Sequence, residues 1–187
     1  MIYDMKWKAR RTRMSKKDSV ILIGMPGAGK STIGVILAKV MGYKFVDADI
    51  VIQQEDGRLL KDIIAEEGVE GFIEIENKIN ASICDKKTII ATGGSVVYGT
   101  EAMEHYKEIG TIVYLKLQYQ ELARRLGDIK NRGVVLKKGQ DLKALYDERC
   151  PLYEKYADII VDETGLNVEE TLEKVNKKLF TNENIVL

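Results

Sequence analysis

The sequence is poor in the residues that build metal centres and cross-linked scaffolds. Cysteine occurs twice and histidine once in 187 residues. Cys84 and Cys150 lack metal-ligand spacing and no signal peptide precedes them, so they read as free thiols of a cytoplasmic protein. The lone His105 reads as a surface position on a helix. No run of 18 apolar residues occurs, which excludes a transmembrane helix. Internal repeats, linkers and low-complexity tracts are also missing, which leaves one domain over residues 19–187.

Net charge is absent too, with 29 basic residues against 29 acidic. The balance hides an asymmetry. Residues 1–18 hold seven basic side chains against Asp4 and Asp18, so the remainder carries −5. A body of that sign is not a nucleic-acid surface. The basic leader has no apolar h-region and no amphipathic period, and reads as a flexible, solvated extension rather than a membrane anchor. Hydrophobic residues at 45% and charged residues at 31% are the proportions of a globular domain.

What is present is a regular alternation. Short apolar runs at Val20–Ile23, 43–47, 88–91, 111–115 and 157–161 read as strands. Longer stretches of helical period lie between them: Ser31–Met41 with Gly42 as C-cap, Ile50–Ala65 with a break near Gly57, Val69–Cys84, Gln118–Arg125, Leu142–Tyr156 and Val168–Leu179. This order predicts an α/β fold, a five-stranded parallel sheet with helices on both faces. Ligands in such sheets sit outside the carboxyl ends of the strands. Three strand ends here carry glycine or carboxylate: Gly24–Ser31, Asp47–Asp49 and Gly93–Ser95.

The first of these, GMPGAGKS, has the spacing G-x-x-x-x-G-K-S. It follows an apolar strand and opens a helix, the placement a phosphate-binding loop requires. Backbone N–H groups of Gly27, Ala28, Gly29, Lys30, Ser31 and Thr32 at a helix N-terminus suit phosphate, the Lys30 amine suits the β- and γ-phosphates, and the Ser31 hydroxyl suits Mg²⁺. Asp47 and Asp49 follow the second strand, and Asp49 also fits the N-cap of the helix from Ile50. Glu74 and Glu76 read as helix surface, Tyr153 and Tyr156 as packing residues, and Thr92 as a turn residue.

Taken in order, GMPGAGKS, FVDADIVI (45–52), GGS (93–95), ARRLGDIKNRG (123–133) and ERCPLYEKYAD (148–158) resemble the shikimate kinase family of P-loop small-metabolite kinases. The resemblance runs from about Val20 to the end of the chain. It implies a three-layer P-loop kinase fold with a mobile lid over about 126–140, ATP and Mg²⁺ as cofactors, and a small hydroxylated acid as acceptor. It further implies that Asp47 organises Mg²⁺ and that Asp49 takes the acceptor's proton. Gly93, Gly94 and Arg149 would hold the acceptor, Arg125 would pack on the adenine ring, and Arg132 would close over the phosphates. The lid stretch supports this independently, because phosphoryl transfer needs cations that arrive on closure and exclude water. A monomer meeting neither nucleic acid nor membrane is expected.

Two acceptor-side positions depart from the family. The family's Phe-Arg pair, whose arginine grips the acceptor carboxylate, is here Phe72-Ile73, a difference of roughly 2–5 kcal/mol at a buried site. The third glycine after the third strand is Ser95, and Arg58 is an upstream candidate for the missing cation. Kinases of another polyol or sugar acid, gluconate-kinase-like, and a catalytically silent nucleotide-binding regulator remain alternative readings.

Overall fold

The computed structural model describes residues 17–126 and 139–181. The extension up to residue 16 and most of the expected lid, including Arg132, lie outside the described residues. Five strands form one parallel sheet: β1 (Ser19–Ile23), β2 (Lys44–Asp47), β3 (Thr88–Ala91), β4 (Gly110–Lys116) and β5 (Ile159–Asp162), in the order β2-β3-β1-β4-β5. Seven α-helices are described: α1 (Lys30–Met41), α2 (Ala48–Asp56), α3 (Leu60–Ser82), α4 (Thr100–Ile109), α5 (Tyr119–Leu126), α6 (Leu142–Tyr156) and α7 (Val168–Thr181).

The period of two in a strand divides β1 between two cores. Val20 and Leu22 face one side, where Ile33 and Leu37 of α1 and Val175 and Leu179 of α7 cover them. Ile21 and Ile23 face the other, beneath Met103 and Tyr106 of α4, Leu122 of α5 and Leu145 of α6. With both faces covered, Val20–Ile23 must be apolar throughout; every residue of β1 is buried, and the one polar residue, Ser19, donates its hydroxyl to Asp85 O at 3.0 Å. A smaller cluster of Ile52, Ile63 and Phe72 joins α2 to α3.

The expected break near Gly57 separates α2 from α3, and Gly57 ends α2 at φ 82°. The gap expected between Ala65 and Val69 is a kink instead: Gly68 takes φ 74° and ψ 178° inside α3. Only a residue without Cβ adopts that region readily. Helix α4 was expected only as the helix carrying His105, without bounds, since only Ala102, Met103 and Tyr106 of its ten residues are buried.

The topology locates the ligand crevice. The chain leaves β1 for β2 on one side of the sheet, then crosses from β3 to β4 on the other. That reversal opens a crevice outside the carboxyl end of β1. The loops after β1, β2 and β3 converge there.

Candidate active site

A cavity of about 430 Å³ occupies this crevice. Gly27, Gly29, Lys30, Ser31 and Thr32 form one wall. Ala28 does not line it; the residue is buried behind the loop among the core residues of α1, and its N–H is bonded to Met25 O at 3.1 Å. Gly29 precedes α1 at φ 82°, a left-handed turn that lets the chain enter the helix within one residue. Lys30 is buried, and its Nζ donates to Gly24 O at 2.8 Å and Met25 O at 3.0 Å. The amine therefore folds back on its own loop in this structure. Burial lowers its pKa to about 8, with the Asp49 carboxylate opposing the drop.

The helix cap expected at Asp49 belongs to Asp47. The Asp47 carboxylate accepts from Asp49 N–H at 3.1 Å, and its other oxygen accepts from Ser31 Oγ at 2.7 Å. Capping by Asp47 leaves the Asp49 carboxylate facing the cavity. Burial raises the Asp49 pKa, Asp47 adds to the rise, and Lys30 opposes it. Ser31 and Asp47 together present two hard oxygens, the donor type Mg²⁺ takes when phosphates and waters complete its shell.

Glu76 is not a surface residue. It is 1% exposed, lines the cavity from α3, and both its carboxylate oxygens are buried without a hydrogen-bond partner among the described residues. Burial pushes its pKa up to about 7; Ser95, Arg149 and Lys30 draw it down, and Asp49 drives it further up. The Gly93 backbone lies against both carboxyls, since a Cβ there would overlap Glu76 Oε1 and sit 2.8 Å from Asp49 Oδ1. Gly94 is as crowded, with Pro26 Cδ 2.7 Å and Arg149 Nη1 3.0 Å from where a Cβ would lie. These two glycines thus make room for protein side chains.

Arg149 reaches the cavity from α6 and is 1% exposed. Its Nε donates to Tyr98 Oη at 3.3 Å and its guanidinium lies over the Tyr98 ring at 5.2 Å. Tyr153 does more than pack: its ring stacks on Tyr114 at 5.1 Å while its hydroxyl donates to Gly94 O at 2.5 Å. Thr92 is likewise more than a turn residue. It lines the cavity, and its N–H and hydroxyl both donate to Leu22 O, at 3.2 and 3.0 Å. His105 is half-buried rather than on the surface, with Nε2 2.7 Å from Ile83 O.

Arg125 does not line the cavity. It pairs with Glu121 at 3.0 Å and with Glu163 at 3.1 Å, the latter a buried carboxyl just past β5 whose pKa burial raises to about 7 despite that guanidinium. Arg58 does not stand in for an acceptor arginine. Asp56, Glu66 and Glu67 hold it at 2.6, 2.6 and 3.0 Å. Glu76 and the apolar wall of Leu60 and Ile64 were not expected at the site; Phe72, read from sequence as the aromatic of the acceptor-side pair, completes that wall. Spacing carried a signal for Glu76, because Phe72, Glu76 and Asn80 share one buried stripe of α3.

A parallel sheet of this order with the phosphate loop at its switch point defines a P-loop kinase. A family model described as shikimate kinase matches residues 26–180. A shikimate kinase of Thermodesulfovibrio yellowstonii is 37% identical over 86% of this chain and 94% of its own. One of Chlorobium chlorochromatii is 36% identical over 89% and 93%. The structure of a shikimate kinase from Acinetobacter baumannii in complex with shikimate superposes with a TM-score of 0.83 at 28% identity, covering 95% of this chain and 99% of that one. The chain belongs to the shikimate kinase family.

Proposed function

We propose that the protein transfers the γ-phosphate of ATP to a hydroxyl of a small hydroxylated acid, with shikimate as the first acceptor to test. The observation that carries this reading is the single cavity in which the phosphate loop, Asp49 and Arg149 meet. In the reaction the acceptor hydroxyl oxygen forms a bond to the γ-phosphorus, the bond to the ADP oxygen breaks, and Asp49 accepts the hydroxyl proton. A carboxylate whose pKa burial has raised is a better base than one on the surface. Lys30, held to Gly24 O and Met25 O, is positioned to exchange those carbonyls for phosphate oxygens. Arg149 supplies the cation for the acceptor carboxylate, and Gly93, Gly94 and the Tyr153 hydroxyl fix the floor beneath it. Ser31 Oγ and Asp47 Oδ2 would hold Mg²⁺, which when bound offsets charge on the phosphates.

Arg125, pinned by Glu121 and Glu163, stands ready to flank the adenine, and Arg132 is assigned to the closing lid. The protein is proposed to act as a monomer. Use of ATP and the free thiols of Cys84 and Cys150 support a cytoplasmic location. The test is ADP release measured with shikimate, gluconate and nucleoside monophosphates. Turnover with shikimate or a related hydroxy acid, lost on Asp49→Asn, is expected. Turnover with a nucleotide alone, or ATP binding without any turnover, contradicts the reading.

A further inference from the structure

The acceptor half of the cavity contains a carboxyl that the reaction above does not use. Glu76 projects from α3 between Asp49 of α2, Lys30 of α1, Arg149 of α6, Tyr106 of α4 and Ser95 of the β3 loop. None of these groups satisfies it. Tyr106 donates instead to Asn80 Oδ1 at 2.5 Å and Lys30 to the loop carbonyls; Ser95 is near enough to draw the Glu76 pKa down, yet both carboxylate oxygens are left without a hydrogen-bond partner among the described residues. One helical turn earlier, Ile73 is half-buried, does not line the cavity and brings no cation to the stripe. A fully buried carboxyl with two unpaired oxygens is costly, at about 1–3 kcal/mol or more, and its cavity-facing position lets a ligand relieve it.

We infer that Glu76 is a specificity-determining residue, which accepts a hydrogen bond from a second donor on the acceptor, a hydroxyl or an ammonium, set beside the hydroxyl that takes the phosphate. The inference rests on the acceptor reading of this cavity. It assigns the acceptor three polar features: a carboxylate for Arg149, a reacting hydroxyl for Asp49 and a further N–H or O–H donor for Glu76. Ligand donors that reach Glu76 replace the missing internal partner, so acceptors are sorted by that one group.

The experiment is a double comparison. Wild type and Glu76→Gln are assayed with a hydroxylated acid and its analogue lacking one non-reacting hydroxyl, and with the matching amino-substituted acid. Glu76→Gln should raise KM for the parent acid by about ten- to a hundred-fold, leave KM for ATP unchanged, and leave the analogue lacking the donor nearly unaffected. An ammonium donor is recognised by a KM that falls as pH rises through about 7, where Glu76 ionises; a hydroxyl donor gives a weaker dependence. Calorimetric titration of the same acceptors, with a non-hydrolysable ATP analogue present, reads the coupling without catalysis. Ile73→Arg, which would give Glu76 an internal cation, should reduce the discrimination and serves as a second variant. Equal losses for all acceptors, or a loss confined to ATP, would overturn the inference while leaving kinase activity established. Absence of both turnover and acceptor binding would overturn the functional reading beneath it.

Discussion

Asp49 and Glu76 come from different helices and meet across the backbone of Gly93, where a Cβ would overlap Glu76 Oε1 and lie 2.8 Å from Asp49 Oδ1. The proposed base and the buried carboxyl are therefore mechanically linked through a residue with no side chain. Gly93→Ala forces one of them to move. A displacement near 1 Å at a reacting group costs about 10²-fold in rate, so kcat with the acceptor should fall by that order while KM for ATP stays within a factor of about two. Steady-state kinetics in both substrates check it; a change confined to ATP would refute the placement of Gly93.

Lys30→Ala separates binding chemistry from folding. The amine is buried with its pKa lowered to about 8, so it is a charge the fold holds at some cost below that pH. Its removal should cut kcat by about 10²–10³-fold with a cooperative melting transition retained by circular dichroism. A collapsed transition would mean that the bonds to Gly24 O and Met25 O are primarily structural.

The buried carboxyl also sets a pH signature on stability. The folded-state pKa of Glu76 is raised from 4.5 to about 7, so between those values the folded state binds more protons than the unfolded one. Its contribution is therefore a penalty, absent below about pH 4.5, growing through the window and complete above 7. Glu76→Gln should be more stable than wild type at pH 8 by roughly 1–3 kcal/mol, and the gap should close toward pH 4.5. Glu163 titrates over the same window in both proteins and cancels from the difference. Denaturant unfolding at the two pH values measures it, and a gap independent of pH counts against a charged Glu76.

Tyr153→Phe removes only the hydroxyl bonded to Gly94 O. The carbonyl left behind should cost about 1 kcal/mol in stability and raise KM for the acceptor, because the floor beside Arg149 loses its anchor. A fall in stability with unchanged KM would assign Tyr153 to packing alone.

The strands and the phosphate loop were legible because their signals are local. Val20–Ile23 is apolar throughout since both faces of β1 are covered, and glycines at 27 and 29 sit where a tight turn needs them. Asp49 and Arg149 were found by their place in ordered motifs, and the structure puts both at one cavity. Glu76 was missed because a carboxylate on a charged helix normally faces water, and its burial depends on the β3 loop and α4, which come later in the chain. The bounds of helix α4 escaped because three buried positions in ten give too narrow a stripe. The cap was misplaced by two residues, from Asp47 to Asp49, because either carboxylate fits the rule and only the bond to Asp49 N–H decides between them.

The central claim is that this cavity moves the γ-phosphate of ATP onto a hydroxylated acid. Phosphorus NMR of a reaction holding the protein, ATP, Mg²⁺ and shikimate tests it most directly. The account predicts ADP and a new phosphomonoester resonance growing in equal amounts, both abolished by Asp49→Asn. ADP with inorganic phosphate and no ester, for shikimate and for every related hydroxy acid tried, would contradict it.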